Sequence, residues 1–303
     1  TRTVNSFQKE EQQNITYACG LFGYSRQVYY RSIKSKLKKS KRAQLVIDLV
    51  RTIRMDMPRL GTRKLYTLLK DELTVMGVGR DTLFKILKAN KMLIKPLRSY
   101  HVTTNSHHRF RKHKNLIESL NIKSPEQVWV SDITYVGKRS NPMYLALVTD
   151  AYSKKIMGYN LSNTLAVEGS SQALQMAVSK RSHPSESLIH HSDRGLQYCS
   201  DEYQRKLNKN GITCSMTESY DPYANAVAER INGILKQEFL MKTQTLQLDI
   251  MQKVIKQTVD IYNKRRPHIS NHMRTPEIMH QQSEIKMKTY KSKKLNKNIL
   301  VEL

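Results

Sequence analysis

SMTESYDPYANAVAERINGILKQEF, residues Ser215–Phe239, is the stretch from which the rest of the chain can be read. From Ala224 onward the apolar residues Val227, Ile231, Ile234 and Leu235 recur at helical spacing and line one stripe. Glu229 stands four residues after Asn225 and four before Gly233, so these three share a second face, and Lys236, seven residues beyond Glu229, continues it. A carboxylate on a helix is ordinary in itself. Its weight comes from two acids upstream. Asp193 follows the short apolar run of LIHHSDRGLQY, and 35 residues separate it from Glu229. Asp132 sits inside the strand-like run VWVSDITYV, where alternation puts Val130, Asp132, Thr134 and Val136 on one face.

Read singly, each acid has a plain explanation. Asp132 fits a salt bridge or a strand edge open to water, since an ionised acid in mid-strand is costly to bury without compensation. Asp193 fits a turn or cap before Arg194 and Gly195. Glu229 fits a solvated helical acid. Taken together, an acid in mid-strand, one at a strand end and one on a helix follow the DDE order of ribonuclease-H-like nucleotidyl transferases. Asp150, which ends a strand before a turn, reads as structural.

The stretches VWVSDITYV, HHSDRGLQY, NAVAERINGILKQE and YNKRRPHISNHMRTPEIM carry a more specific likeness. Through them the chain resembles a bacterial insertion-sequence transposase of the IS-three family, the product of its second reading frame. The likeness covers nearly the whole chain and is densest over residues 125–278. It implies an α/β ribonuclease-H-like catalytic core, a mixed five-stranded sheet with helices, preceded by all-α helix-turn-helix domains. It implies that Asp132, Asp193 and Glu229 are both the catalytic residues and the metal ligands. Hard divalent cations take oxygen ligands. Two such ions about 3.5–4 Å apart suit in-line phosphoryl displacement, so the cofactor expected is Mg²⁺ or Mn²⁺, two ions per active site. The resemblance implies that water frees a 3′-OH and that this hydroxyl then attacks a second phosphodiester. The partners implied are double-stranded DNA (terminal inverted repeats and target), a homo-oligomer of at least two copies pairing two ends, and an upstream frame as partner or fusion. Movement by copy-out–paste-in through a circular intermediate is implied as well. Many relatives carry Asp-Asn-Ala where this chain has Ala224, Asn225 and Ala226, which removes an acid near the triad. A plain nuclease on the same fold, or a DNA-binding regulator without strand transfer, is the alternative.

Composition agrees with a DNA partner. The 303 residues carry 52 Lys+Arg against 25 Asp+Glu, a net charge of +27. Residues 1–125 hold 27 basic and 8 acidic residues, so most of the excess lies in the first part of the chain. Such an excess predicts binding by phosphate neutralisation that weakens with salt. At 39% hydrophobic and 25% charged, the composition is that of a globular protein. No run of about 18 apolar residues suggests a membrane span, and no leader pattern suggests export. Three scattered cysteines argue against a disulfide framework. The expected location is the bacterial cytoplasm, in association with the nucleoid.

Five segments are expected. Residues 1–40 read as a helix-turn-helix region, with a helix ending near Gly20–Gly23 and another opening after Ser25; Arg26, Gln27, Tyr30 and Arg31 are its candidate DNA contacts. The lysine-rich run 34–44, which crosses into the next segment, reads as a connector that is flexible or tracks a backbone. Residues 41–93 form a second helix-turn-helix domain with Arg63, Lys64, Arg80, Thr82 and Lys85 as candidates. Residues 94–124 are a basic linker offering Arg109 and Arg111; its histidines lack paired cysteines and read as solvated or DNA-facing rather than zinc-binding. Residues 125–265 form the catalytic domain, where Asn225 would hydrogen-bond a metal ligand or a DNA phosphate and Lys236 would contact DNA. Residues 266–303 are a C-terminal motif and basic tail, with Arg266 and His268 either further DNA contacts or a structural cap.

Overall fold

The computed structural model describes residues 2–95, 113–118, 120–137, 142–217, 226–239 and 246–286. The chain divides into two compact units, residues 1–55 with 61–94 and residues 56–60 with 95–303.

The first unit is helical. Helices α1 (Arg2–Glu10) and α2 (Ile15–Leu21) precede a turn at Gly23, whose φ of +70° suits a residue without a Cβ. Asn14 caps α2 by accepting from the Tyr17 amide at 2.8 Å. The next helix, α3, runs unbroken from Arg26 to Asp56. The connector expected over residues 34–44 and the boundary expected after residue 40 therefore both fall inside a helix. The reason is local: no glycine or proline occurs in α3, and lysine, arginine, leucine and glutamine favour helix. A small apolar cluster of Val4, Ala18, Cys19 and Tyr29 joins α1 and α2 to the start of α3. Near its other end α3 buries Val46, Ile47 and Val50, and helices α4 (Thr62–Leu68), α5 (Lys70–Val75) and α6 (Arg80–Ala89) bury Leu65, Leu73, Leu83 and Leu87.

The second unit is built on one mixed sheet. Strands β1 (Val128–Val136), β2 (Met143–Asp150) and β3 (Ile156–Ser162) form an antiparallel meander. Strand β4 (Leu188–Ser192) then lies parallel to β1, and β5 (Ile212–Met216) parallel to β4, in the order β3-β2-β1-β4-β5. The helices are α7 (Val167–Ser179), α8 (Leu196–Cys199), α9 (Asp201–Lys209), α10 (Ala226–Glu238), α11 (Leu248–Arg265) and α12 (Pro276–His280). This is the α/β ribonuclease-H-like core expected. No helix among the described residues is long and apolar enough to cross a membrane.

The two faces of the sheet are covered differently. Trp129 of β1 and Leu188 of β4 pack with Ala173, Leu174 and Tyr203 of α7 and α9. Val128 and Val130 pack with Ala228 and Val227 of α10, together with Ile189. Helix α7 lies so close to β3 that a Cβ on Gly158 would stand 2.0 Å from the Ala173 carbonyl oxygen and 3.0 Å from the Ala177 methyl. Backbone cannot yield as a flexible side chain can, so the smallest substitution here is expected to overpack the core. Gly158→Ala should lower the unfolding free energy by about 3 kcal/mol, read from the urea midpoint against wild type; an unchanged midpoint would contradict this close contact.

Candidate active site

Strand alternation and register bring the first two acids together. Ser131 and Ser192 are paired across the parallel β1–β4 ladder, so Asp132 and Asp193 are the next residue on each strand. Strands in a sheet lie about 4.8 Å apart. Asp132, two residues beyond Val130, faces the α10 side; Asp193, four residues beyond Ile189, continues the same face of β4. Asp132 remains inside β1, paired with Leu147 of β2, whereas Asp193 lies just past the end of β4. There its Oδ1 accepts from the Gly195 amide at 3.0 Å, and a Cβ on Gly195 would sit 3.0 Å from that same oxygen.

The third acid comes from α10, which packs against β1. The contact is made by Asn232, whose Nδ2 donates to Asp132 Oδ2 at 2.6 Å, while the Ile133 amide donates to Oδ1 at 2.9 Å. Glu229 lies three residues before Asn232 and so on the same flank of the helix, with its side chain exposed. Electrostatics link all three. Burial, then the charge of Asp193, and more weakly that of Glu229, push the Asp132 carboxyl up to about 7, against the opposing hydrogen bonds from Asn232 and Ile133.

The chemistry of these donors suits a hard cation: three carboxylates, and beside them the Asn232 Oδ1, buried and without a hydrogen-bond partner among the described residues. The carboxylates do not form a closed cage, however. Among the described residues no group of three His, Cys, Asp or Glu side chains stands ready to hold a metal ion.

Beneath the acids lies a buried polar floor on the α7–α9 side. His190 Nε2 is 2.7 Å from Ser131 Oγ and 2.9 Å from the Tyr203 hydroxyl, which ties β4 to β1 and to α9. Burial, reinforced by His191, holds His190 neutral, with its pKa pushed down to about 3. On the opposite face His191 Nδ1 is 2.8 Å from Ser215 Oγ, which ties β4 to β5. The Tyr198 hydroxyl is driven well above its usual pKa by burial and then by Tyr203, Asp132 and Asp193.

The other sequence candidates fare unevenly. Arg26, Gln27, Tyr30 and Arg31 are exposed at the start of α3, as are Arg63, Arg80 and Lys85 on α4 and α6. Thr82 is half-buried, and so is Lys236 on α10. Lys64 is buried, because α4 turns it inward beside Thr62 and Leu65. Arg266 and His268 are also buried, at 1% and 6% exposure, and so unavailable to a duplex. The Arg266 guanidinium donates to both oxygens of Glu238, at 2.9 and 2.8 Å, and lies 2.7 Å from His268 Nε2, so this pair is part of the fold. Arg109, Arg111 and Asn225 lie outside the described residues. Sequence reasoning passed over Asn232, although its place three residues after Glu229 was a usable signal.

Two like charges beside the buried Asp132 carboxyl cost stability when no cation is bound. The native state takes up a proton at Asp132 near pH 7 while an unfolded aspartate titrates near 4, so the penalty grows as pH rises between those values and is full above them. Asp132→Asn is therefore expected to stabilise the metal-free protein at pH 8, on the order of 1–3 kcal/mol, and to lose that advantage toward pH 4. Thermal melts in a chelator across this range are the check; a destabilised variant at pH 8 would contradict it.

Comparison with known proteins adds to this geometry. Two models of the Integrase core domain match, over residues 123–222 and 210–276. The chain is 34% identical over 254 residues to the Insertion element IS600 uncharacterized 31 kDa protein of Shigella sonnei, covering 82% of this chain and 92% of that one. It is 30% identical over 204 residues to Transposase InsF for insertion sequence IS3A of Escherichia coli K12, covering 66% of this chain and 70% of the relative. Among solved structures, the HTLV-2 integrase catalytic core domain in complex with magnesium aligns at 20% identity and a TM-score of 0.41, over 52% of this chain and 97% of that one.

Proposed function

We propose, because the chain belongs to the IS-three (IS3) family of insertion-sequence transposases with an integrase core, that it binds the ends of its element and carries out metal-dependent DNA cleavage followed by 3′-OH strand transfer. The observation that carries the reading is the β1–β4 register that sets Asp132 and Asp193 next to each other on the α10 side of the sheet, with the charge of Glu229 acting on Asp132. That much negative charge near one buried carboxyl is costly for a purely structural cluster, and a cation would relieve it.

Asp132, Asp193 and Glu229 would hold Mg²⁺ or Mn²⁺. Such ions, when bound, neutralise a phosphodiester and favour both the attacking and the leaving oxygen. The chain's own residues position what reacts. Asn232 holds one Asp132 oxygen and the Ile133 amide the other, which fixes the carboxyl plane. The turn at Gly195 orients Asp193. Lys236, two turns along α10 from Glu229, offers a positive charge to a phosphate on the same flank. The exposed Arg26, Gln27, Tyr30 and Arg31, with Arg63, Arg80 and Lys85, supply groups for phosphate and base-edge contacts. Pairing two ends calls for at least two copies of the chain.

A strand-transfer assay on pre-cut duplex ends with Mg²⁺ or Mn²⁺ tests the reading. Asp193→Asn should abolish transfer, a loss larger than the roughly 100-fold that outer partners of a metal site command, and should keep duplex binding. Normal activity in Asp193→Asn would remove this acid from the site, and cleavage without transfer by wild type would leave a nuclease on the same fold.

Asn232→Ala should reduce transfer by roughly 10–100-fold and raise the Mn²⁺ concentration needed for half-maximal rate. A variant with wild-type metal dependence would show that the amide only packs.

A further inference from the structure

We propose that the middle of α3 is a docking surface for duplex DNA, with Lys34, Lys38 and Lys41 seated on phosphates. The inference deepens the DNA-binding part of the reading above and rests on it.

Helix α3 has 31 residues and is therefore about 46 Å long. Both of its ends are anchored on one side. Tyr29 enters the cluster shared with α1 and α2, and Val46, Ile47 and Val50 are buried toward the other end. Lys36 lies seven residues after Tyr29, and Lys39 seven before Val46, so these two lysines, themselves exposed, point toward the side on which the helix is packed. The opposite side carries Gln27, Tyr30, Arg31, Lys34, Lys38 and Lys41 at steps of three and four with one adjacent pair, and every one of them is exposed. The stripe runs on to Leu45, 58% exposed, a span of about 27 Å.

Charge identifies the occupant. From Arg26 to Ile47 the helix carries eight basic residues and no acidic one. A helix face that merely meets water usually mixes signs at i,i+4, which adds a few tenths of a kcal/mol per pair, whereas like charges at this spacing cost a similar amount. Lys34 and Lys38 are such a like-charged pair, with Lys41 three residues on, and none of the three has an ion-pair partner among the described residues. A polyanion converts that repulsion into binding. The stripe also begins with the residues expected to contact DNA at the start of α3, so a duplex held by Arg26 and Arg31 continues along the same face. The exposed apolar side chains here are scattered, Tyr30 near the start, Leu37 on the flank and Leu45 at the end, whereas the lysines form a continuous row that suits a phosphate backbone.

The test is the salt dependence of full-length protein binding to a 40-bp duplex of arbitrary sequence, measured by fluorescence polarisation in KCl. Each phosphate neutralised contributes about 0.9 to the slope of log affinity against log salt. The Lys34→Gln, Lys38→Gln, Lys41→Gln triple variant should flatten that slope by about 2.7, with the helix content unchanged because glutamine is a comparable helix former. The corresponding triple arginine variant should keep the wild-type slope. Lys36→Gln with Lys39→Gln, on the anchored side, should change it little. An unchanged slope in the glutamine triple, or an equal loss per lysine on both sides, would overturn the proposal, and so would a wild type that fails to bind duplex. Strand transfer is scored separately at low salt. Its absence in a wild type that shows the predicted slopes would sink the catalytic reading and leave this surface standing.

Discussion

The parallel pairing of β1 with β4, in register at Ser131 and Ser192, forces two carboxylates to stand side by side on one face of the sheet. Two unit charges about 5 Å apart in a medium of effective dielectric near 20 repel by about 3 kcal/mol, and Glu229 adds its field from α10. The surroundings answer this repulsion piece by piece. Asn232 and the Ile133 amide each donate to Asp132, and the Gly195 amide donates to Asp193. None of them supplies a positive charge. These three bonds orient the two aspartates as oxygen donors for a cation.

Such an arrangement needs a rigid base. His190 meets Ser131 and Tyr203, while His191 meets Ser215, so one strand is tied on both faces to its neighbours. The residues after α10 brace the other end of the unit. Asn263 bonds both the amide and the carbonyl of Ile156, the Tyr262 hydroxyl donates to the Lys154 carbonyl, and Asn271 donates to the Ser153 carbonyl. At the base of this region a fully buried Glu126 sits near Arg181 and His280, with Asp150 adjacent. Burial pushes the Glu126 carboxyl up, yet His280 and the amides of Ser182 and His183 outweigh it and hold the group down at about 2. Asp150 accepts from the Glu126 amide and from the amide and hydroxyl of Ser153, which is full structural employment for an acid.

Much of this was legible from residue order. The meander showed in β-branched and aromatic runs broken by turns, and the acids showed by their placement on a strand, at a strand end and on a helix. What stayed hidden depended on partners distant in sequence. Arg266 and His268 look like DNA contacts in a basic motif, but Glu238, 28 residues away, claims the guanidinium. Nothing in the spacing announces that pairing. Asn232 was overshadowed by Asn225, because only the packing of α10 on β1 decides which asparagine reaches Asp132. The lysine run of α3 was misread for a different reason. Charge density suggested a connector, flexible or tracking a backbone, while the absence of glycine and proline, the better guide to backbone state, pointed to helix.

The central claim is that Asp132, Asp193 and Glu229 form one cation site. Anomalous diffraction at the manganese edge from crystals grown with Mn²⁺ addresses it directly. The account predicts a manganese peak within ligand distance of Asp132 and Asp193, with Glu229 drawn toward it. Manganese bound only elsewhere, or a site that excludes both aspartates, would contradict it.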